Sequence, residues 1–221
     1  MIDKQKERLF DTNICANYLN ALKKKEHKRS DEQQRVFENI EMLKKTANLY
    51  ISQATVAELK FGAEKSHLKK LQQIITHCIA YGAMKDGKIT KTKLAKLVYL
   101  VDFAQFYKFL VPMTGFEYKK LPFGPVTVEF FSVLEYMIAK GILLEEKKGA
   151  ANLFSLIEEP EREQLSEPEI ELIREIAQKW CQHNTESIVD FTHEQLPWKI
   201  SRDNEVIPYE LITQEEPENV Y

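Results

Sequence analysis

Thr90-Lys91-Thr92-Lys93-Leu94-Ala95-Lys96-Leu97-Val98-Tyr99-Leu100-Val101-Asp102-Phe103-Ala104-Gln105-Phe106-Tyr107-Lys108-Phe109-Leu110 sets apolar side chains all round a helical wheel. Leu94, Leu97, Val98, Leu100, Val101, Phe103, Phe106, Tyr107 and Phe109 leave no side of it for water. A helix of that kind is buried. We therefore expect it at the centre of a domain, capped by Thr90 or Thr92 and reaching about Leu110. Asp102 is its one internal acid. An acid in such a place must be hydrogen-bonded or stand at a seam.

Downstream, Val126, Phe130, Val133, Leu134, Met137 and Ile138 form one stripe of a helix over Val126–Lys140, closed by Gly141. Gly124-Pro125 reads as the start of that helix, with Pro in the first turn. Two short strands follow, Ile142–Glu145 and Asn152–Ile157, joined by a Lys147-Lys148-Gly149 turn. Ser166-Glu167-Pro168-Glu169 is a capping box and opens a helix with Ile170, Ile173, Ile176, Ala177 and Trp180 inward. The tail Leu196–Leu211 reads as irregular and aromatic.

Upstream lies a helix over Leu71–Tyr81, and the pattern changes near Ser66–Leu71, where we place a soft boundary between 1–70 and 71–221. Before it, Arg8-Leu9-Phe10 reads as a strand, followed by a helix through Leu22. Ser30 opens a second helix, Leu49-Tyr50-Ile51 is a second strand, and Val56–Glu64 is a helix. Strand, helix, helix, strand, helix is the opening of an α/β unit.

The chain has 221 residues and is 43% hydrophobic, enough to fill a core. Charged residues break every apolar run, so no membrane span is expected, and Met1–Lys6 has no apolar signal region. Cys15, Cys78 and Cys181 fit neither a disulfide framework nor a zinc knuckle, nor does Cys181-Gln182-His183 on its own. A reducing cytoplasm is the expected location. The net charge of -3 hides an asymmetry: +5 over 1–70, +4 over 71–157 and -12 over 158–221. A basic front and an acidic end suggest a charged partner or a match within the molecule.

Two resemblances extend this reading. Gly87–Asp102, then Tyr118 to Pro125 with its Gly124-Pro125-Val126 junction, resemble the leading helix and junction of Panacea (SocA-like) antitoxin domains. Ser187–His193, Pro197-Trp198 and Ile207-Pro208-Tyr209-Glu210-Leu211-Ile212 resemble that family's closing landmarks. The resemblance covers about 71–212. It implies an antitoxin of a bacterial or phage toxin–antitoxin system that neutralises a cognate protein toxin by direct contact. It marks Tyr118, Phe123, Gly124, Pro125, His193 and Trp198 as the partner-binding group.

The second resemblance covers about residues 8–66. Asp11-Thr12-Asn13-Ile14-Cys15 and the run Ile51–Ser66 are similar to the first two signatures of PIN-domain ribonuclease toxins of the VapC type. That likeness implies Asp11 and Glu58 as ligands of Mg²⁺ or Mn²⁺ beside a scissile phosphate. The family's site needs further aspartates from later strands. Asp86 and Asp102, the only Asp residues between 66 and 189, stand in no matching context. Two carboxylates are a poor Mg²⁺ cage. The segment is therefore expected to be a remnant kept for packing or homodimerisation, with no cofactor and no enzymatic activity.

The architecture expected is mainly α with a small antiparallel β-hairpin, plus a short α/β N-terminal segment resembling the start of a PIN domain. A third function class, a DNA-binding autoregulator, rests on Lys85, Lys88, Lys91, Lys93 and Lys96 and on a helix followed by a two-strand wing. Lys88, Lys91 and Lys96 can share one face. No arginine or Asn/Gln pair stands ready for base edges, so a solvated lysine face is the expectation and nucleic acid is not the expected partner. Histidine 193, near Trp198, reads as a packed histidine and not as a base.

Overall fold

The computed structural model describes residues 6–45, 47–51 and 53–221, without the side chains of residues 6–8, 48, 53, 54, 57, 58 and 60–63. The chain packs as two compact units, Met1–Lys65 and Ser66–Tyr221.

In the first unit, strand β1 (Lys6–Phe10) pairs in parallel with β2 (Ala47–Ile51), Lys6 opposite Ala47 and Phe10 opposite Ile51. Parallel pairing needs a crossover, here α1 (Thr12–Leu22), a 3-10 turn and α2 (Asp31–Leu43). Helix α1 starts where the Asp11 carboxylate accepts the Ile14 N–H at 2.9 Å. The capping box of Ser30 and Gln33 starts α2. The order of elements is the one read from the sequence.

Helix α3 (Gln53–Gly82) runs unbroken where two helices were expected, Val56–Glu64 and Leu71–Tyr81. Between those two segments, residues 65–70 contain neither Gly nor Pro, and Leu and Lys there favour the helix. Its later half enters the second unit's core through Leu71, Ile74, Ile75, Cys78 and Ile79.

The second unit is built round α4 (Lys91–Phe109), buried from Lys93 to Ala104 as its all-round apolar pattern requires. Thr90 is the cap, its Oγ1 accepting the Lys93 N–H, and Leu110 ends the helix in the left-handed region. The hairpin β4 (Tyr118–Leu121) and β5 (Gly124–Thr127) comes next, then α5 (Val128–Ala139). Gly124-Pro125 is thus strand, not helix start. Gly124 takes φ +100, which closes the two-residue turn Pro122-Phe123, and Thr127 stands at the N-cap position of α5, its hydroxyl donating to Glu129.

Gly141, at φ +68, ends α5: its N–H reaches Ile138 O, and that of Ile142 reaches Met137 O. The expected hairpin follows as β6 (Leu143–Lys148) and β7 (Ala151–Leu156), with β3 (Ile89–Thr90) added to its other edge. The capping box at Ser166 opens α6 (Glu167–Cys181), and Asn184 caps α7 (Thr185–Glu194). The end of the chain is more regular than expected. It forms α8 (Leu196–Ile200), strand β8 (Val206–Ile207) against β4, and a 3-10 helix over Tyr209–Gln214. This unit is mainly helical with two small antiparallel sheets.

Candidate partner-binding site

Asp102 anchors the site from below. It is fully buried and accepts hydrogen bonds from the Thr114 N–H (2.9 Å), the Thr114 hydroxyl, Tyr118 Oη (3.1 Å) and Tyr209 Oη (2.9 Å). Burial holds its carboxyl above the usual range, and those donors offset the shift only in part. One acid thereby ties α4 to β4 and to the 3-10 helix over Tyr209–Gln214. The rings of Tyr99, Phe103, Tyr118 and Tyr209 pack around it, with Phe103 stacked on Tyr209 at 4.5 Å. Tyr118, marked earlier for partner contact, is 1% exposed and belongs to this interior network. It cannot meet a partner directly.

The turn of the β4–β5 hairpin lifts Phe123 out of the domain, 77% exposed. Gly124 and Pro125, directly behind it, are buried. A Cβ on Gly124 would lie 2.6 Å from Lys96 Cε, 2.7 Å from Lys96 Nζ and 3.2 Å from His193 Nε2. Lys96 itself is 1% exposed and donates to Pro125 O at 2.8 Å. Burial brings its ammonium down to about 7.

His193, late on α7, lies flat on Trp198 of α8, the rings 4.1 Å apart and 7° from parallel. The Lys120 ammonium sits 4.8 Å above the other ring of the pair, Trp198, and donates to Ser201 O at 3.0 Å. Burial, then the charge of Lys96, lowers the His193 pKa. The structure thus brings Phe123, Gly124, Pro125, His193 and Trp198 to one corner, where Phe123 is exposed, His193 and Trp198 are half-buried, and Gly124 and Pro125 are buried. Lys96 and Lys120 were missed. The signal for Lys96 was present: a lysine inside a helix with no polar side has nowhere to go but the core.

The lysine cluster is a solvated face only in part: Lys85 is exposed, but the lysines of the helix are engaged. Lys93 is 3% exposed, and its ammonium donates to the Cys181 and His183 carbonyls at the end of α6. Lys96 is buried, Lys88 pairs with Glu146, and Lys91 stands 5.3 Å from the Phe131 ring. Few cations remain free on that helix for phosphate. The acidic end finds partners within the unit: Glu163 with Lys69, Glu169 with Lys70 (2.6 Å), Glu175 with Lys108 (3.7 Å) and Asp203 with Lys120 (3.6 Å).

In the first unit, Asp11 is engaged as the cap of α1, and the side chain of Glu58 lies outside the described residues. No group of three His, Cys, Asp or Glu that could hold a metal occurs among the described residues. Asp11 alone does not fit a Mg²⁺ or Mn²⁺ site. An open, mostly apolar groove of about 710 Å³ lies in this unit, lined by Tyr18, Leu19, Ile40, Leu49 and Ile51 among others. No helix among the described residues is long and apolar enough to cross a membrane.

Residues 94–199 match the family model described as "Antitoxin SocA-like, Panacea domain". The match runs from the first turn of α4 to the last of α8 and supports a Panacea-type domain there. It is narrower than the stretch 71–212 over which the sequence resembles that family. No curated protein and no solved structure matches the chain.

Proposed function

We propose that the second unit is an antitoxin that neutralises a protein toxin by direct contact, and that its anchor is the corner formed by Phe123 and the His193–Trp198 stack. The observation that carries this reading is an aromatic ring held 77% exposed on a hairpin turn, inside the stretch that matches an antitoxin family. A large apolar side chain held out on a two-residue hairpin turn offers contact area to a partner. Beside it, a stacked tryptophan under a lysine offers a flat surface with a fixed donor.

The role proposed is binding without catalysis, in the cytoplasm. The buried lysines and the internal pairing of the acidic end weigh against nucleic acid as the main partner. The ribonuclease alternative rests on Asp11 and Glu58, and Asp11 is already spent on a helix cap.

The test is co-expression with the toxic product of a neighbouring reading frame. Phe123→Ala and Trp198→Ala should each abolish protection of the cells, since truncating an aromatic anchor typically costs about 2 kcal/mol or more of binding. Circular dichroism must show both variants folded. Full protection by both would overturn the anchor.

A further inference from the structure

Beneath that corner lies a residue that no partner can touch. Lys96 reaches it from α4, through the core, and its ammonium donates to the carbonyl of Pro125, two residues behind the Phe123 tip. Gly124 leaves room for it. A single methyl placed there would meet both Lys96 Nζ (2.7 Å) and His193 Nε2 (3.2 Å), so the two nitrogens converge on one point from α4 and α7. His193 Nε2 is buried and has no hydrogen-bond partner among the described residues. The opposite consequence of its position is visible at the surface, where the same ring is stacked on Trp198.

We propose that Lys96 is a positioning residue for the partner surface: through His193 it sets how Trp198 stands, and through Pro125 it holds the Phe123 tip.

The physical reason is the polarity of the imidazole. With its proton on Nδ1, the ring turns a lone pair toward the amine of Lys96, an attractive arrangement whether that amine is charged or not. With both nitrogens protonated, an N–H would point at a nearby cation in a buried place. Lys96 therefore keeps the ring neutral and in one orientation, and Lys120 pushes the same way from β4. Asp190 and Glu194, both on α7, favour the proton. Glu194 is partly offset by Lys199 of α8, 2.6 Å away. The balance leaves His193 below its ordinary range, first by burial and then by Lys96. The purpose assigned to the surface rests on the antitoxin reading; the coupling from Lys96 to Trp198 does not.

The coupling is tested in the full chain without a partner. Trp180→Phe leaves Trp198 as the single tryptophan, and a protonated imidazole stacked on an indole quenches it. Emission followed from pH 5 to 8 then reports the titration of His193, and His193→Gln should abolish that transition. Lys96→Met removes the opposing charge, so the midpoint should rise by roughly half a pH unit or more. Lys96→Gln keeps a donor for Pro125 O and should shift the midpoint the same way. A folded variant with the parent's midpoint and emission overturns the proposal. So does the loss of folding in both, since Lys96 would then be a core residue and nothing finer. In the toxin assay, Lys96→Met should lose protection as Trp198→Ala does. If the midpoint shifts but protection is intact, the surface assignment fails while the coupling stands.

Discussion

Lys96 and Asp102 stand on one helix, and each holds a potential charge where water does not reach. For Lys96 the consequence is a dependence of stability on pH. Its folded pKa, about 7, lies below the ordinary 10.5. Between these values the unfolded chain binds the extra proton, so stability rises with pH across that window, and the full penalty is present below about 7. The whole effect is at most about 5 kcal/mol, taking about 1.4 kcal/mol for each pH unit. We expect the stability difference between Lys96→Met and the parent, from urea melts at pH 6 and pH 9, to shrink as pH rises. A difference independent of pH would show that Lys96 is charged throughout. Asp102→Ala leaves the Thr114 N–H and hydroxyl without their acceptor, while Tyr118 and Tyr209 keep the carbonyls of Val98 (3.4 Å) and Phe116 (2.8 Å). Each unmade buried hydrogen bond costs about 1–3 kcal/mol, so the loss in stability should be about 2 kcal/mol or more. A change below about 1 kcal/mol in a denaturant titration would mean that the network is not closed by this acid.

Among the elements, the helix ends carry their own signals and the short strands do not. Ser30, Asn184 and Ser166 each accept or share a hydrogen bond at the start of the helix they announce. Gly141 ends α5 in a conformation that costs an L-residue roughly 1–2 kcal/mol. Gly141→Ala should therefore lower the melting temperature by a few degrees with the circular dichroism spectrum unchanged. An unaltered melting curve would remove the αL cap from the account. The hairpin of β4 and β5 is different in kind. Lys119, Lys120 and Pro125 show no alternation of apolar and polar residues, and Gly124-Pro125 fits a helix start as well as a strand. Its strand β4 is held on the other edge by β8, where Tyr118 pairs with Ile207 and Lys119 with Val206, from far along the chain.

At the scale of the molecule, charge is sorted within the second unit. The segment 158–221 carries 17 acids against 5 bases, yet four of its acids face lysines of the preceding sequence. Lys70–Glu169 is half-buried, and the other three lie at the surface, where such pairs are worth about 0–1 kcal/mol each, so they match surfaces more than they stabilise them. Replacing Glu158, Glu159 and Glu161 by Gln should slow association with a basic toxin at low salt and do little at high salt, with dissociation unchanged. Stopped-flow binding at two ionic strengths checks this. A faster dissociation would move the anchor from the aromatic corner to the acidic segment. The division of the chain gives a further expectation: residues 66–221, made alone, should unfold cooperatively and still protect cells. Loss of protection by that folded fragment would assign the first unit a share in binding.

Local periodicity determined the buried α4, the stripe of α5, the hairpin over 143–156 and the capped start of α6, because these depend on residues within one or two turns. It also determined that Asp102 had to be satisfied, since no acid rests unpaired in an apolar helix. Tertiary structure alone decided what satisfied it. Thr114, Tyr118 and Tyr209 come from three different segments, and no spacing in the chain announces their convergence. The same holds at the candidate site. The landmarks Phe123, His193 and Trp198 could be named from the sequence, but exposure separates them from Tyr118, whose hydroxyl is turned inward to Asp102. Lys96 looked like part of a solvated face only while its helix was taken by itself. Burying that helix on every side left its ammonium with a carbonyl and a histidine as its surroundings.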